Sequence, residues 1–188
     1  MLRIAPIKDV KTLIHAFARL KDQVPEAKLM ICGPEDDPEY AAECYQLVER
    51  LGVEDIQFLG TVSVLEVLPE FDFTVLSSIS EGMPLSVLES FAAGRPCVTT
   101  DVGSCRELLD GMDEGDDLGS AGICVPPMDA AALARAMGVM CRYPERRYRM
   151  GIAARKRAER YFQHNDMIRS YLKLYDEVFR RWQESASA

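Results

Sequence analysis

Two glutamates eight positions apart are the residues best suited to bind a polyhydroxylated ligand. Glu81 and Glu89 lie in the segment Ser80–Gly94, which joins a strand-like apolar run to a helix-like one. This spacing puts Glu81 in the turn and Glu89 on the second turn of the helix. A carboxylate only accepts hydrogen bonds, and it can take both hydrogens of a vicinal diol on a ribose or a sugar. The plainer alternative, in which Glu81 interacts with the helix dipole and Glu89 points to solvent, is equally open from the residues alone.

The turn between these glutamates could also bind a phosphate. The predicted helix spans Pro84–Ala93, and Pro84 suits its first turn because the missing N–H leaves no donor unpaired. Free amides and the helix dipole favour an anion at such a terminus. The amides in question belong to Gly82, Met83 and Leu85.

Two further strand ends carry residues that a ligand could use. Arg3 and Lys8 flank a proline-stiffened turn between a strand end and a helix, where two cations could clamp a diphosphate. Gly33 and Pro34 follow the next strand directly. Glycine permits close approach of a ligand and proline fixes the turn, although a plain tight turn explains the same pair.

The elements that must position these residues alternate between helix and strand. The first helix is capped by Asp9, and Ser63 with Glu66 forms a capping box before a short helix. This alternation predicts an α/β fold with a parallel sheet and helices on both faces, in which ligands bind beyond the carboxyl ends of the strands. The predicted strands are Lys28–Cys32, Ile56–Leu59, Phe73–Leu76, Pro96–Thr99 and Ile123–Val125; the other predicted helices are Tyr40–Leu51, Ser104–Leu109 and one capped by Asp129.

The two ends of the chain differ from this pattern. From Arg142 onward only helices are predicted, and we expect the apolar stripe of the last one to cover the core. Leu2–Ile4 resembles the tail of a strand with only Met1 before it, so we expect the chain to be part of a longer protein. The stripe consists of Met167, Tyr171, Leu174, Tyr175, Val178 and Trp182.

Composition narrows the classes of function. The 188 residues are 48% hydrophobic and 28% charged, which suits one globular domain over residues 1–188. No apolar run reaches the roughly 18 residues of a membrane span, and no signal-peptide pattern opens the chain, so we expect a cytoplasmic protein. The formal net charge of −8 argues against a nucleic-acid partner, because such binding relies on clustered Lys and Arg.

The residue types do not indicate a metal site or a catalytic histidine. The six cysteines include no C-x-x-C pair, and free cysteines in apolar runs behave as small hydrophobes. The sequence contains no Asp-x-Asp pattern. We expect His15 and His164 to be structural or solvated. We therefore expect no metal and no cofactor.

The segment containing both glutamates, S-E-G-M-P-L-S-V-L-E-S-F-A-A-G-R-P-C-V, resembles the E-x7-E signature of retaining glycosyltransferases of family 4, which have the GT-B fold. Further segments agree in order: R-I-A-P-I-K-D, L-M-I-C-G-P-E, I-Q-F-L-G-T-V, T-D-V-G-S-C-R-E-L and G-I-C-V-P-P-M-D-A-A-A-L. A-P-I-K-D-V-K-T and D-V-G-S-C-R-E-L are also similar to PelF-like enzymes of Pel exopolysaccharide synthesis, which implies a UDP-sugar donor. The chain would then be the donor-binding half of such an enzyme, with a Rossmann-like sheet and a helical C-terminus.

The resemblance also implies roles for individual residues. Arg3 and Lys8 would hold the donor diphosphate and stabilise its departure. Glu81 would position the donor sugar, and Glu89 would bind the ribose hydroxyls. The other implied contacts are Gly82, Met83, Pro84 and Leu85 beside the sugar, Leu59, Gly60 and Val62 beside the base, and Gly33 and Pro34 as the floor. Met83 and Pro84 depart from the commonest family residues, which leaves the identity of the sugar open.

The implied reaction is a front-face transfer with retention, in which the leaving phosphate assists the acceptor. The saccharide acceptor would bind to an N-terminal domain that these 188 residues lack, so we expect nucleotide binding with little or no turnover. A GT-B-type sugar-nucleotide epimerase half and a non-catalytic nucleotide-binding module stay open as alternatives. A dinucleotide oxidoreductase is disfavoured, because no G-x-G-x-x-G follows a strand.

Overall fold

Helices and parallel strands alternate through most of the computed structural model, which describes residues 3–186. Within that range the strands are β1 (Leu29–Cys32), β2 (Ile56–Gly60), β3 (Thr74–Leu76), β4 (Cys97–Thr100) and β5 (Gly122–Val125). The helices are α1 (Val10–Lys21), α2 (Pro38–Leu51), α3 (Val64–Val67), α4 (Leu85–Ala92), α5 (Cys105–Asp110), α6 (Ala130–Arg142), α7 (Pro144–Tyr161) and α8 (His164–Ala186), with short 3-10 helices at Pro6–Lys8 and Leu68–Glu70. The predicted α/β class is confirmed.

Local sequence signals account for several helix starts. Asp9 Oδ1 accepts from the Thr12 amide at 3.3 Å before α1, and Asp129 caps α6 in the same way, as predicted. Two details differ from prediction. Ser63 precedes α3, but its side chain makes no capping bond. Pro84 is the N-cap of α4 and not its first residue, because its ψ of 111° is extended and the helix begins at Leu85.

The parallel strands form two sheets instead of one. β1 pairs with β2, whereas β3, β4 and β5 form a second sheet with β4 in the middle. The segment between Ile4 and Ile7 connects them at their carboxyl ends. Ile4 forms an isolated parallel bridge with Glu35, and the Ile79 amide donates to Ile7 O at 2.9 Å. Of the predicted strand tail Leu2–Ile4, Leu2 lies outside the described residues.

The larger sheet carries helices on both faces, as predicted. Val98 on β4 packs in a core that includes Met137 of α6 and residues of α1. Its neighbour Cys97 points to the opposite face, where it packs with Phe91 of α4 and Ala154 of α7. A third core joins α1 and α2 to β1. The loops that follow the strands are therefore carried by rigidly packed elements.

The expected position of the last helix is wrong. α8 carries the predicted apolar stripe, but the stripe faces solvent: Tyr171 is 55% exposed and Trp182 is 62% exposed. The periodicity of the sequence identifies an apolar face but not what covers that face. In the part of the chain that the structure describes, no helix combines the length and the apolar character needed to cross a membrane.

Candidate functional site

The loops that follow the parallel strands converge at the carboxyl edge of the two sheets. The Gly33 amide, just after β1, donates to Gly60 O at the end of β2 over 2.7 Å. The Ile4 amide donates to Pro34 O over 2.8 Å. A ligand at this edge would therefore meet loops from several strands at once, which is where open α/β sheets bind their ligands.

A cation and a carboxylate from distant parts of the sequence meet at this edge. Lys8 Nζ donates to Glu81 Oε1 over 2.5 Å, and only 15% of the Lys8 side chain and 12% of the Glu81 side chain are exposed. Ser78 Oγ donates to the same oxygen at 2.6 Å. Ser77 Oγ donates to Lys8 O at 2.8 Å. The serines after β3 thus fix both members of the ion pair.

Arg3 is not part of this pair. Its guanidinium Nη1 lies 2.9 Å from Asp36 Oδ2, and 64% of the Arg3 side chain is exposed. The two cations that the sequence predicts as a diphosphate clamp therefore have different partners. Lys8 occupies the half-buried position at the strand ends, and Arg3 lies at the surface.

The N-terminus of α4 lies in the loop that begins with Glu81. Met83 and Leu85 are 49% and 70% exposed, whereas Pro84 is buried. Among the hydrogen bonds of residues 3–186, none uses the amide of Gly82, Met83 or Leu85 as a donor. A Cβ atom built on Gly82 would have no neighbour within 4 Å. The predicted anion-binding amides therefore border open space.

Glu89 lies beside a cavity of about 560 Å³ between β1 and β3. Val62 and Cys32 also line this cavity, and Phe17 of α1 and Val87 of α4 contribute apolar walls. Glu89 lies on the second turn of α4, as predicted, and its side chain is half-buried. Of the residues predicted to contact the base, Val62 borders this cavity, whereas Leu59 is 36% exposed at the end of β2.

Gly60 leaves the main chain at the end of β2 accessible to a ligand. Its φ of +62° lies in the left-handed region, and a Cβ atom there would have no neighbour within 4 Å. Gly33 is buried beside it and pairs with it through the backbone. These two residues can thus bring main chain close to a ligand, as glycine permits.

The prediction from sequence missed the polar residues that hold the Glu81 loop. Ser78 binds the Glu81 carboxylate, and Thr100 at the end of β4 donates through Oγ1 to Ser78 O at 2.6 Å. Gly103 and Ser104 pack against the same loop. The available signal was two buried serines directly after an apolar strand, together with the T-D-V-G-S-C-R-E-L segment, whose side chains had no assigned role.

A second ion pair flanks the site after β4. Arg106 Nε donates to both carboxylate oxygens of Asp101, at 3.2 and 3.1 Å. Hydrogen bonding from the guanidinium lowers the pKa of Asp101 below its ordinary value. Asp101 therefore remains ionised, and Arg106 is already engaged at the surface of this loop.

Comparison with known proteins gives one family and several relatives. Residues 1–142 match the family model described as Glycosyl transferases group 1. The chain is 31% identical over 176 residues to N-acetyl-alpha-D-glucosaminyl L-malate synthase of Bacillus anthracis, covering 93% of this chain and 43% of that protein. It is 35% identical over 158 residues to the putative glycosyltransferase EpsD of Bacillus subtilis, covering 82% and 38%. The chain thus spans about two fifths of the length of these relatives.

Among solved structures, the fold is similar to that of Anabaena HepE in complex with UDP and glucose. The TM-score is 0.85 at 20% sequence identity, and the match covers 94% of this chain and 47% of HepE. At this identity the likeness shows the fold. The α/β fold of this chain is therefore similar to that of about half of HepE.

Proposed function

The chain belongs to the group 1 glycosyl transferases, and on that premise we propose that it binds the nucleotide-sugar donor, a UDP-sugar, for retaining glycosyl transfer in polysaccharide synthesis. The observation that carries this proposal is the Lys8–Glu81 ion pair beside the unbonded amides at the start of α4. One ligand that combines a diphosphate with sugar hydroxyls would satisfy both groups. HepE, which shares the fold, has been solved with UDP and glucose.

Lys8 can contact a diphosphate without giving up Glu81. An ammonium group has three donors, and the recorded side-chain hydrogen bond of Lys8 goes to Glu81. The other two donors remain for phosphate oxygens, and the amides at the start of α4 add the favourable end of the helix dipole. Positive charge at this point would stabilise the diphosphate as it leaves the sugar.

Glu81 retains an oxygen for a sugar hydroxyl. Lys8 and Ser78 both donate to Oε1. Among residues 3–186, no recorded hydrogen bond reaches Glu81 Oε2. A carboxylate fixed through one oxygen and open at the other is suited to orient a substrate, because the ordering of its side chain has already taken place before binding.

Glu89 and the backbone at the end of β2 complete the nucleotide part of the proposed site. A half-buried carboxylate on α4 can accept from two ribose hydroxyls, and Val62 with the backbone at Gly60 offers surface for the base. Arg3 can join the diphosphate by leaving Asp36, since an exposed ion pair of this kind contributes about 1 kcal/mol or less.

Calorimetric titration with UDP, UDP-glucose, GDP and NAD tests the proposal. We expect UDP and UDP-glucose to bind, and Lys8→Met and Glu89→Gln each to weaken binding about tenfold or more, because each removes a charge-assisted hydrogen bond. Lys11→Met and Glu49→Gln are matched controls on α1 and α2 and should bind like the original chain. Binding that ignores both site substitutions, tighter binding of NAD, or no binding of any nucleotide would overturn the proposal.

We also propose that the acceptor binds outside these residues. The Lys8–Glu81 edge is open, and transfer requires the sugar to be held against an acceptor with water excluded. We expect UDP-glucose incubated with this chain to remain unchanged. Release of UDP together with a polysaccharide product would contradict this part of the proposal, and conversion to another UDP-sugar without an acceptor would indicate an epimerase.

A further inference from the structure

Thr100, the last residue of β4, and the loop that follows β4 make three hydrogen bonds to the loop that follows β3. Thr100 Oγ1 donates to Ser78 O at 2.6 Å at one end of the Glu81 loop. At the other end, Gly82 O accepts from the Ser104 amide at 3.0 Å and from Ser104 Oγ at 3.1 Å. Glu81 lies between these two attachments. The end of β4 and the loop after it therefore hold the loop after β3 on both sides of the glutamate.

Gly103 lies so close to the Glu81 loop that there is no room for a side chain at this position. Its φ of +53° is left-handed, and a Cβ atom there would lie 2.3 Å from Glu81 O and 2.4 Å from Gly82 O. Real Cβ atoms do not approach backbone oxygens this closely, so only glycine fits without moving the Glu81 loop. The contact thus depends on the identity of this residue.

Ser104 uses its hydroxyl for this contact and not for its own helix. It occupies the N-cap position of α5, where a serine commonly accepts a hydrogen bond from an amide of the first turn. Here Ser104 makes no such capping bond, and its hydroxyl donates to Gly82 O. The side chain therefore contributes to the Glu81 loop and not to the start of α5.

We propose that Gly103 and Ser104 are positioning residues that set the orientation of the donor-sugar loop, an inference that rests on the proposed function. The peptide group is planar, so the carbonyl of Glu81 fixes the direction of the Gly82 amide, and the carbonyl of Gly82 fixes that of the Met83 amide. Gly103 and Ser104 contact both carbonyls. They thereby aim two unbonded N–H groups and hold the backbone from which the Glu81 carboxylate projects.

This role predicts a larger effect on UDP-glucose than on UDP, because UDP meets only the aimed amides whereas UDP-glucose also meets the Glu81 carboxylate. Loss of the Ser104 hydroxyl should raise the dissociation constant of UDP-glucose about fivefold, the scale of one hydrogen bond, and that of UDP only about twofold. Ser104→Thr keeps a hydroxyl and should restore UDP-glucose binding. A residue that merely stabilises the fold would weaken both ligands together.

The first test needs no ligand. Order parameters of the Gly82 and Met83 amides are measured by ¹⁵N relaxation in the full chain and in variants at positions 103 and 104. We expect Ser104→Ala and Gly103→Ala to lower these order parameters from about 0.85 toward 0.6, and Ser104→Thr to preserve them. Gly52→Ala is the matched control, because Gly52 has a φ of +59° with nothing near its Cβ position.

The outcomes of the two measurements are separable. Unchanged order parameters at Gly82 and Met83 in Ser104→Ala would overturn the positioning role, even if Gly103→Ala does not fold. Equal weakening of UDP and UDP-glucose by Ser104→Ala would overturn it as well. Failure of the original chain to bind either ligand would overturn the proposed function, whereas the amide measurement would still decide whether Gly103 and Ser104 hold the loop.

Discussion

Replacing Lys8 and Glu81 singly and together measures the interaction on which the proposed site depends. Lys8→Met removes the cation while keeping an unbranched side chain. Glu81→Gln removes the negative charge while keeping an acceptor for Ser78 Oγ. The double variant removes both charges, so the difference between its effect and the sum of the single effects gives the coupling free energy of the pair.

The burial of the pair sets the expected magnitude. Exposed ion pairs couple by about 0.2–1 kcal/mol, and breaking a fully buried pair costs about 3–5 kcal/mol. Lys8 and Glu81 lie between these limits, with 15% and 12% of their side chains exposed and an Nζ–Oε1 distance of 2.5 Å. We therefore expect a coupling of about 1–2 kcal/mol in the free energy of unfolding. Lys8→Met should lower the stability more than Glu81→Gln, because it leaves a half-buried carboxylate without its cation.

Urea denaturation followed by far-ultraviolet circular dichroism is the appropriate assay. The single tryptophan, Trp182, lies on the exposed face of α8 and would report poorly on the core. Lys11 and Glu43 form a control pair of the same residue types, with 37% and 58% of their side chains exposed. Their coupling should stay below about 0.5 kcal/mol. A Lys8–Glu81 coupling no larger than that of the control pair would refute the paired geometry.

Three other outcomes follow from the structure. The Arg157 guanidinium holds the pKa of Asp116 at about 2, below its unfolded value of 3.8. The pair therefore stabilises the fold above pH 4, and this contribution disappears as the pH falls from about 4 to 2. Thermal melts across that range should show a fall in melting temperature, and Asp116→Asn should abolish the part of that fall that comes from this pair. A chain ending at Phe162 should keep its melting temperature within about 3 °C of the original, because the apolar face of α8 is exposed. A larger drop in melting temperature would mean that α8 packs on the core. Gly122→Ala should yield no folded protein on expression, because its Cβ would lie 1.9 Å from Cys97 O between β4 and β5; a normal melting curve would contradict that packing.

The order of the helices and strands was predictable because it depends on short-range signals. Asp9 and Asp129 precede apolar periodic segments, and both cap their helices as expected. The convergence of the strand-following loops at the carboxyl edge was predictable as well, since parallel strands direct their carboxyl ends to one side of a sheet. The identification of Glu81 and Glu89 as a pair depended on their spacing within a recognised signature.

The remaining features depend on contacts that no local pattern contains. Lys8 and Glu81 are 73 positions apart, and two cations near a proline turn give no sign that one of them pairs with Asp36. The contact of Gly103 with the Glu81 loop arises from the packing of two loops, each of which is unremarkable alone. The exposure of α8 was missed because amphipathicity shows which face is apolar and not whether a neighbour covers it.

A crystal structure of the full chain soaked with UDP-glucose would show directly whether the donor binds beside Lys8, Glu81 and the start of α4. We expect diphosphate oxygens within hydrogen-bond distance of Lys8 Nζ and of the amides at the start of α4. We also expect a ribose hydroxyl on Glu89 and a sugar hydroxyl on Glu81 Oε2. Ligand density elsewhere on the molecule, or a diphosphate that contacts neither Lys8 nor those amides, would contradict the proposed site.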